Sequence, residues 1–427
     1  MRRLLALVCT LSLLALVGCS GSPAPATSPE PSGETAAPKE EEQITITYWH
    51  TYNSESNENK VLNEVVIPAF EKKYPNIKIN AVVQPYDGLH DSLVTAVASG
   101  TTPDIMRMDI IWTPEFAKLG ALEPLDEYEG FAELRDSVFR GNLATNIYDG
   151  KHYGLPLDSN TQVVIYNPEF LAAAGLSAPP KTFDEFVQYL KTFNGKDGKY
   201  GLALNSTSAW QMLPFFWSLG GKITNDDYTQ ATGYLNSDAS VAALETLFNL
   251  YKEGALAPTM LGEQPSTWEG YKAGLYGAVL EGPWFFSAMM NDLGDKMQGG
   301  LLPAGPGGSL SVVGGENIVM FKTAKHKDAA WKFIQFVLSD EAQEAMIPTG
   351  QMPVTRSASS SAPIKESGYF ETYVEQLETA LPRTPVASWT KIESILNTAF
   401  ESVFREQSSA REALDQAAAQ IDPLLAQ

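Results

Sequence analysis

Residues 153–167 read Tyr-Gly-Leu-Pro-Leu-Asp-Ser-Asn-Thr-Gln-Val-Val-Ile-Tyr-Asn and pass from a turn into a strand. The glycine and proline near the start favour a turn, and the β-branched run 163–166 favours a strand. Small polar side chains, among them Asp158 and Asn160, lie between the two. The stretch therefore predicts a crossing between two lobes, with Asp158 and Asn160 either facing a cleft as contacts to a bound molecule or capping a turn.

Composition narrows the class of protein. The chain has 427 residues, of which 44% are hydrophobic and 19% charged, as expected for a globular protein. A chain of this length exceeds the usual size of a single core, which predicts at least two lobes. The formal net charge of −21 repels phosphate backbones and argues against nucleic-acid binding. The two cysteines, Cys9 and Cys19, leave the rest of the chain without a disulfide or a thiol ligand.

The amino-terminal residues have the pattern of an export signal. Two arginines precede the apolar run 4–17, which is too short to span a bilayer comfortably. The run ends in Leu-Val-Gly-Cys, which resembles the bacterial lipobox. We predict a lipoprotein signal peptide over 1–18, lipid attachment at Cys19, and anchorage to the outer face of the cell membrane; an ordinary signal peptide is the alternative. Residues 19–43, rich in proline, alanine and serine, are predicted to form a disordered tether.

The body of the chain begins with a β–α alternation. Three β-rich segments at 44–49, 77–83 and 103–109 are separated by stretches with helical periodicity. A strand–helix–strand–helix–strand order predicts right-handed parallel crossovers and hence an α/β lobe.

Polar side chains follow the first and third of these predicted strands. His50, Tyr52 and Asn53 come after the first strand, and Asp109 and Trp112 come at the end of the third. Because ligands of open α/β sheets bind beyond the carboxyl ends of the strands, we expect these five residues to contact a ligand. The alternatives are a loop histidine without a role and an Asp109 that caps a turn.

Capping residues mark the predicted starts of several helices. Ser54 precedes an acidic turn, and a hydroxyl residue is followed three positions later by glutamate at Thr182, Thr390 and Ser409. In such a capping box the side chains satisfy free backbone N–H groups at the helix start. We therefore predict helix starts at these four residues, and we expect Pro423 to end the last helix.

Five segments carry a family pattern in order along the chain. They are Ile-Thr-Ile-Thr-Tyr-Trp at 44–49, Phe-Glu-Lys-Lys-Tyr-Pro-Asn-Ile-Lys-Ile at 70–79, Gly-Thr-Thr-Pro-Asp-Ile at 100–105, Leu-Glu-Pro-Leu-Asp at 122–126 and Tyr-Gly-Leu-Pro at 153–156. Together they resemble extracellular solute-binding protein family 1, the maltose-binding-like group that feeds ABC importers.

The resemblance implies an α/β fold of the type II periplasmic-binding-protein kind, with two lobes joined by hinge crossings and a cleft between them. It also implies a monomer without cofactor that delivers its solute to an ABC permease. Further crossings are expected near residues 312 and 350. On this assignment the first lobe comprises 44–155 and 312–348, and the second lobe comprises 156–311 and 349–427.

Tryptophans of the predicted second lobe are candidates for sugar contacts. Residues 210–217 are unusually aromatic, and the Gly-Pro-Trp at 282–284 resembles the family's stacking site. A pyranose has C–H faces that pack on aromatic rings and hydroxyls that need paired donors and acceptors. Trp210 and Trp284 are therefore predicted ligand contacts; packing in the core is the alternative for each.

Three residues near the other two crossings complete the predicted site. Gly315 allows the backbone to approach a ligand closely, and Glu316 either accepts sugar hydroxyls or caps a turn. Arg356 follows a Pro-Val-Thr segment that resembles the place where family members present a basic residue near the cleft. A surface charge or an inter-lobe charge is the alternative for Arg356.

Acidic and aromatic residues favour a neutral polyol or a cation, and we predict a sugar or oligosaccharide as the cargo. A polyamine, a metal or an anion is the alternative among solutes. A surface lipoprotein glycoside hydrolase is the alternative among enzymes, and a paired-carboxylate site could come from Asp104, Asp109, Asp158, Glu281 and Glu316. The sequence contains no nucleophile elbow, zinc-type histidine pair or phosphate loop, which favours a binding protein over an enzyme.

Overall fold

The structure is a computed structural model that describes residues 42–426. The predicted signal peptide at 1–18, the lipid attachment at Cys19 and nearly all of the predicted tether lie outside the described residues. Within residues 42–426, every helix is too short or too polar to cross a bilayer.

Two sheets organise the fold. The larger sheet has six strands in the order β11-β10-β3-β1-β2, with β6 also paired to β10, and the smaller sheet has the order β8-β7-β9. The strands are β1 (Ile44–His50), β2 (Ile77–Val83), β3 (Ile105–Asp109), β4 (Ile147–Tyr148), β5 (Lys151–His152), β6 (Leu155–Asn160), β7 (Val163–Tyr166), β8 (Ala278–Glu281), β9 (Gln298–Gly300), β10 (Val312–Met320) and β11 (Leu381–Pro382).

The larger sheet confirms the predicted parallel pairing of the first three strands. Strand β1 pairs in parallel with β2 on one side and with β3 on the other. Strand β10 runs antiparallel to both β3 and β6, which places Glu316 opposite Asp109 on one side and opposite Asp158 on the other. The carboxyl ends of β1, β2 and β3 therefore open at one edge of the sheet.

The stretch 153–167 divides between the two sheets. Strand β6 pairs with β10 in the larger sheet, whereas β7 pairs with β8 and β9 in the smaller sheet. The chain therefore crosses between the sheets at residues 161–162, both of which are fully buried. The predicted lobe boundary after residue 155 is too early, because hydrogen bonds to β10 hold β6 in the first lobe.

Helices cover both sheets. They are α1 (Asn57–Val61), α2 (Ile67–Lys73), α3 (Leu89–Ser99), α4 (Thr113–Lys118), α5 (Phe131–Ser137), α6 (Arg140–Leu143), α7 (Pro168–Ala173), α8 (Phe183–Lys191), α9 (Ala209–Ser218), α10 (Asp238–Lys252), α11 (Thr267–Lys272), α12 (Pro283–Leu293), α13 (Lys327–Val337), α14 (Asp340–Met346), α15 (Ala362–Glu366), α16 (Phe370–Leu377), α17 (Trp389–Phe404) and α18 (Ala410–Leu425). A π-helical turn, Leu62–Val66, joins α1 to α2.

Two of the four predicted helix caps form. Thr182 and Ser409 each make a complete capping box with the glutamate three residues later. Ser56 caps α1 in place of Ser54, whose carbonyl instead accepts from Asn59 Nδ2 at 2.9 Å. The prediction at Thr390 is wrong as well: Thr390 lies inside α17, and its hydroxyl donates to a carboxylate of α4.

The prediction that Pro423 ends the last helix is also wrong. Pro423 lies within α18, which continues to Leu425. A proline so close to a helix end removes a single backbone hydrogen bond, and the helix ends two residues later in any case.

The first lobe has its own hydrophobic core on the larger sheet. Ile46 and Tyr48 of β1 are buried there, and the ring of Phe333 in α13 lies 5.4 Å from Tyr48 and 5.0 Å from Phe70, centroid to centroid. Val354 belongs to the same core. Val354 lies inside the predicted second-lobe range 349–427, whereas Met352 of the same range packs in the core of the smaller sheet, so the bounds of that range stay a prediction.

The carboxyl-terminal helices complete the second lobe. Phe400 of α17 contacts Phe216 of α9 at a centroid distance of 5.8 Å, and Phe404 contacts Phe248 of α10 at 5.9 Å. Helix α18 packs against both α17 and α10. The tail therefore closes one side of the second lobe, and α17 also reaches the cleft described below.

Candidate functional site

A cleft of about 1100 Å³ lies between the two lobes, beyond the carboxyl ends of β1, β2 and β3. Its walls come from the loops after these strands, from β10, and from α9, α11, α12 and α17. The cleft therefore lies at the edge of the sheet where the strand order predicts a ligand site. Eight of the predicted residues line the cleft: Tyr52, Asn53, Asp109, Asn160, Trp210, Trp284, Gly315 and Glu316.

His50 does not line the cleft, contrary to the prediction. Its side chain is fully buried, and its ring lies 5.5 Å from the ring of Tyr48 and 5.3 Å from that of Tyr52. The alternation of β1 puts His50 on the same face as Ile46 and Tyr48, which is the core face. Burial lowers the pKa of His50 to about 4, so the imidazole is neutral at physiological pH.

Trp112 and Arg356 also lie away from the cleft surface. Trp112 is buried, and its ring stacks on Tyr86 with centroids 5.4 Å apart and planes 23° apart. Trp112 therefore supports Tyr86, which lines the cleft, but does not line the cleft itself. The guanidinium of Arg356 is exposed, lies over the ring of Phe139 at 5.8 Å and donates to the carbonyl of Asp136 at 2.5 Å. This exposed position agrees with the alternative interpretation of Arg356 as a surface charge.

Asp158 is buried beneath the cleft, where it belongs to an ionic cluster around Arg107. Arg107 Nε donates to Asp158 Oδ2 at 3.1 Å, and Arg107 Nη1 donates to Thr51 Oγ1 at 2.6 Å. Arg107 Nη2 lies 2.6 Å from Glu316 Oε2 as an ion pair without hydrogen-bond alignment. The guanidinium also lies over the ring of Tyr52, 4.3 Å from its centroid.

A second ionic cluster surrounds Arg383. Its Nη2 donates to Asp109 Oδ1 at 3.0 Å, and its Nη1 lies 3.8 Å from Glu393 Oε1. The other oxygen of Asp109 accepts from the hydroxyl of Tyr86 at 2.7 Å. The guanidinium of Arg383 lies over the ring of Trp210 at 5.2 Å. Arg383 thereby connects the end of β3 with an aromatic ring of the second lobe.

The floor of the cleft contains more carboxyl groups than guanidinium groups. The two clusters contain four carboxyl groups and two guanidinium groups. Burial raises the pKa of Glu316 well above its ordinary value, and the neighbouring Asp158 adds to this rise while Arg107 opposes it. Burial also raises the pKa of Glu393.

One buried carboxylate holds two tryptophans of the second lobe. Trp268 Nε1 donates to Glu281 Oε1 at 2.7 Å, and Trp284 Nε1 donates to Glu281 Oε2 at 3.2 Å. Both tryptophans are half-buried and line the cleft, whereas Glu281 is 5% exposed. Burial raises the pKa of Glu281 to about 7, although the two indole donors oppose the rise.

The Gly-Pro-Trp segment allows Trp284 to reach this carboxylate. The indole folds back over Gly282, where an added Cβ would lie 2.2 Å from Trp284 Cη2. Gly350 also approaches this segment closely, and an added Cβ there would lie 3.0 Å from Trp284 Cα. Trp284 is therefore fixed by two close backbone approaches that only glycine permits.

Amide side chains provide neutral hydrogen-bonding groups around the cleft. Asn397 of α17 also accepts from the backbone N–H of Ala209 at 2.6 Å, at the start of α9. The amide residues that line the cleft are Asn53, Asn57, Asn160, Asn205, Asn291, Gln351 and Asn397.

Several cleft residues were not predicted from the sequence. A signal existed for Arg107, because strand alternation puts it on the same face as Asp109. Trp268 lies at the start of a weak helical pattern, and Arg383 lies between β11 and α17. The sequence around each of them contains no motif that indicates a binding site. The unpredicted residues of the cleft that are charged or aromatic are Glu55, Glu58, Tyr86, Asp87, Arg107, Trp268, Arg383 and Glu393.

Comparisons with known proteins agree with this architecture. An arabinooligosaccharide-binding protein of Bacillus subtilis is 27% identical, and the match covers 96% of each chain. The crystal structure of an ABC transporter solute-binding protein from Thermotoga lettingae, bound with alpha-D-tagatose, is 25% identical with a TM-score of 0.80, covering 90% of this chain and 100% of that chain. Maltose-bound MalE3 of T. maritima is 24% identical with a TM-score of 0.79, covering 89% and 100%.

These similarities confirm the predicted two-lobe fold of the maltose-binding type, and the relatives are binding proteins. Residues 66–372 match the family model described as bacterial extracellular solute-binding protein. The chain belongs to the bacterial extracellular solute-binding proteins.

Proposed function

We propose that this protein is the solute-binding component of an ABC importer and that it captures a neutral sugar or oligosaccharide. The observation that carries the proposal is the combination of aromatic rings and amide groups in one cleft. Trp210, Trp268 and Trp284 line one side, and the 48%-exposed ring of Tyr86 lines the other. Rings of this kind pack on the C–H faces of a sugar, and amides pair with its hydroxyls.

The pairing of both guanidinium groups in the floor of the cleft argues against an anionic cargo. Each guanidinium already has carboxylate partners, so the floor does not offer a free cation for an anionic solute. The similar proteins described above also support a sugar as the cargo, because they bind arabinooligosaccharide, tagatose and maltose.

We propose that the eight predicted residues that line the cleft contact the ligand, together with Tyr86, Arg107, Asn205, Trp268 and Arg383. Gly315 contributes its backbone, because its φ of +125° and the 2.4 Å distance from an added Cβ to the carbonyl of Asp158 leave no room for a side chain. Closure of the two lobes about the crossings would bring both walls onto the sugar and create the form that a permease recognises.

We infer that the protein binds its sugar without cleaving it. Asp104, one of the five carboxylates considered for hydrolysis, accepts from the backbone N–H of Thr47 at 2.8 Å, at the start of β3 and thus at the far end of the sheet from the cleft. Glu281 and Asp158 are buried behind other side chains. The check is incubation of the purified protein with oligosaccharides followed by chromatography, in which the appearance of shorter products would contradict a binding role.

A cationic solute such as a polyamine is the second candidate. The first-lobe wall carries Glu55, Glu58 and Asp87, and among the described residues none of the three has an ion-pair partner. The four carboxyl groups of the floor also exceed its two guanidinium groups, which a bound cation would compensate.

Calorimetric titration distinguishes the two candidates. The panel contains maltose, maltotriose, arabinotriose, tagatose and spermidine, each titrated at two salt concentrations. Binding of a sugar with little salt dependence is the expected result. Binding of spermidine alone, weakened by salt, would replace the sugar proposal with the polyamine proposal.

We also propose that the mature protein is a monomer anchored to the outer face of the membrane through a lipid on Cys19. The Leu-Val-Gly-Cys segment that ends at residue 19 supports the anchor. The test is Cys19→Ala in cells supplied with radiolabelled palmitate. We expect the wild-type protein to carry label and sediment with membranes, and the variant to do neither; a variant that stays membrane-bound would contradict the anchor.

A further inference from the structure

We propose that Glu281 is a positioning residue for ligand binding: its carboxylate holds the indole rings of Trp268 and Trp284 together as one aromatic wall for the sugar. The inference rests on the proposed sugar-binding function. Glu281 does not itself line the cleft, whereas both tryptophans do. Its influence on a ligand must therefore pass through the two rings.

The two hydrogen bonds use separate atoms of the carboxylate. Trp268 donates to Oε1 and Trp284 donates to Oε2, at 2.7 and 3.2 Å. Hydrogen bonds to an ionised acceptor are stronger than neutral ones, and each indole has a single N–H to donate. One rigid group therefore sets the orientation of both rings relative to each other.

Glutamate has a chemical reason to occupy this position. Glutamine has the same size but offers one accepting atom, so it would satisfy one indole and direct an N–H group at the other. Burial makes the ionised form of Glu281 unfavourable and raises its pKa to about 7. The buried carboxylate is thus a costly group whose special property is the ability to accept from two indoles at once.

The surroundings also fix the backbone of Glu281, and the backbone N–H of Gly282 joins the two indoles in holding the carboxylate. The hydroxyl of Tyr373 donates to the Glu281 carbonyl at 3.2 Å, and Val163 pairs with Glu281 across β7 and β8. The ring of Trp268 packs on that of Phe285 at a centroid distance of 5.2 Å and 88°. Phe285 therefore supports the ring of Trp268, which lines the cleft together with Trp284.

A double-mutant cycle tests the positioning role. Glu281→Gln is measured alone and in a Trp268→Phe, Trp284→Phe background, which keeps two rings but removes both indole donors. Affinities are determined by calorimetry for the sugar of the panel above that binds the wild-type protein best. Glu263→Gln is the matched control, because it removes an exposed carboxylate that does not line the cleft.

We expect Glu281→Gln to weaken binding about tenfold in the wild-type background. In the Phe–Phe background the same substitution should change affinity less than about twofold, because no indole donor is left to position. Glu263→Gln should have no effect. An unchanged affinity in Glu281→Gln, or an equal loss in both backgrounds, would overturn the proposal.

A second readout does not depend on a ligand. Tryptophan emission and its quenching by acrylamide are followed from pH 5 to pH 8 in the wild-type protein and in Glu281→Gln. We expect a transition in the wild-type signal that is absent in the variant; identical curves would contradict the geometry. If the fluorescence differs but no sugar of the panel binds the wild-type protein, the proposed function fails while the positioning of the two rings stands.

Circular dichroism controls for folding in each variant. If Glu281→Gln does not fold, the single variants Trp268→Phe and Trp284→Phe carry the test, since each replaces an indole with a smaller aromatic ring that has no donor. Wild-type affinity in both of these folded variants would then overturn the proposal.

Discussion

Arg383 donates from Nη2 to Oδ1 of Asp109 at 3.0 Å, although the two residues are 274 positions apart in the sequence. Both side chains are buried, with 5% and 9% of their surfaces exposed. The pair joins β11, near the carboxyl terminus, to the end of β3 in the floor of the cleft. The tail of the chain is therefore part of the candidate site as well as a cover for the second lobe.

Removal of Arg383 should destabilise the protein through the charge that it leaves behind. We expect Arg383→Met to lower the free energy of unfolding by about 3–5 kcal/mol, because Asp109 would remain buried without its cation. Asp109→Asn added to this variant should recover part of the loss. Urea denaturation followed by circular dichroism measures both effects.

Lys252 provides the control for Arg383. Lys252 Nζ lies 2.7 Å from Glu406 Oε1, but both side chains are about half exposed. Lys252→Met should therefore change the free energy of unfolding by less than ~1 kcal/mol. Equal losses in Arg383→Met and Lys252→Met would show that burial does not determine the contribution of these ion pairs.

Trp284→Ala should weaken sugar binding with a smaller effect on folding. The half-buried ring lines the cleft, so its loss removes aromatic contact area worth about 1–2 kcal/mol, or roughly five- to thirtyfold in affinity. Trp331 of the first lobe is the control: it is buried, and its Nε1 donates to the carbonyl of Glu129. Trp331→Phe should lower the melting temperature and leave affinity unchanged, and the opposite pattern would remove Trp284 from the site.

Gly282→Ala tests the position of the Trp284 ring without altering the ring itself. The φ of −83° at Gly282 suits alanine, but the added Cβ would lie 2.2 Å from Trp284 Cη2. We expect the ring to be displaced and affinity to fall at least about fivefold. At Gly299 the nearest atom to an added Cβ is 3.4 Å away, so Gly299→Ala is the matched control. Similar affinities in the two variants would contradict the observed ring position.

Stability should depend on pH through Glu281. Because burial raises its pKa from 4.5 to about 7, the folded protein binds a proton more tightly than the unfolded chain. The contribution of Glu281 to the free energy of unfolding is therefore fully present below pH 4.5, falls as pH rises toward 7, and is constant above that. The fall should be on the order of 3 kcal/mol.

Measurement of this contribution needs a reference that cannot titrate. Unfolding free energies of the wild-type protein and Glu281→Gln are compared at pH 5, 6, 7 and 8 without ligand. Tyr373, which packs on Glu281, stays neutral in this range because burial raises the pKa of its phenol well above 10. A difference between the two proteins that does not vary with pH would show that Glu281 titrates at its ordinary value.

The elements of the fold were largely predictable because their signals are local. The strand alternation in 44–49 and the capping boxes at Thr182 and Ser409 involve residues that are close in sequence. His50 shows that even local signals need care. The alternation that identifies β1 also assigns His50 to the core face. The position of His50 at the end of the strand, however, predicts that it lines the cleft.

The composition of the site was predictable only in part. Sequence by itself determined the class of fold, the edge of the sheet where the cleft lies, and candidates such as Trp284 and Asp109, because strand ends and a Gly-Pro-Trp turn are readable locally. Tertiary structure alone decided that Arg383 joins Asp109 and that Glu281 holds both Trp268 and Trp284. Those contacts form when distant segments bury charged and aromatic groups together, and the energy of such burial depends on partners that no local pattern identifies.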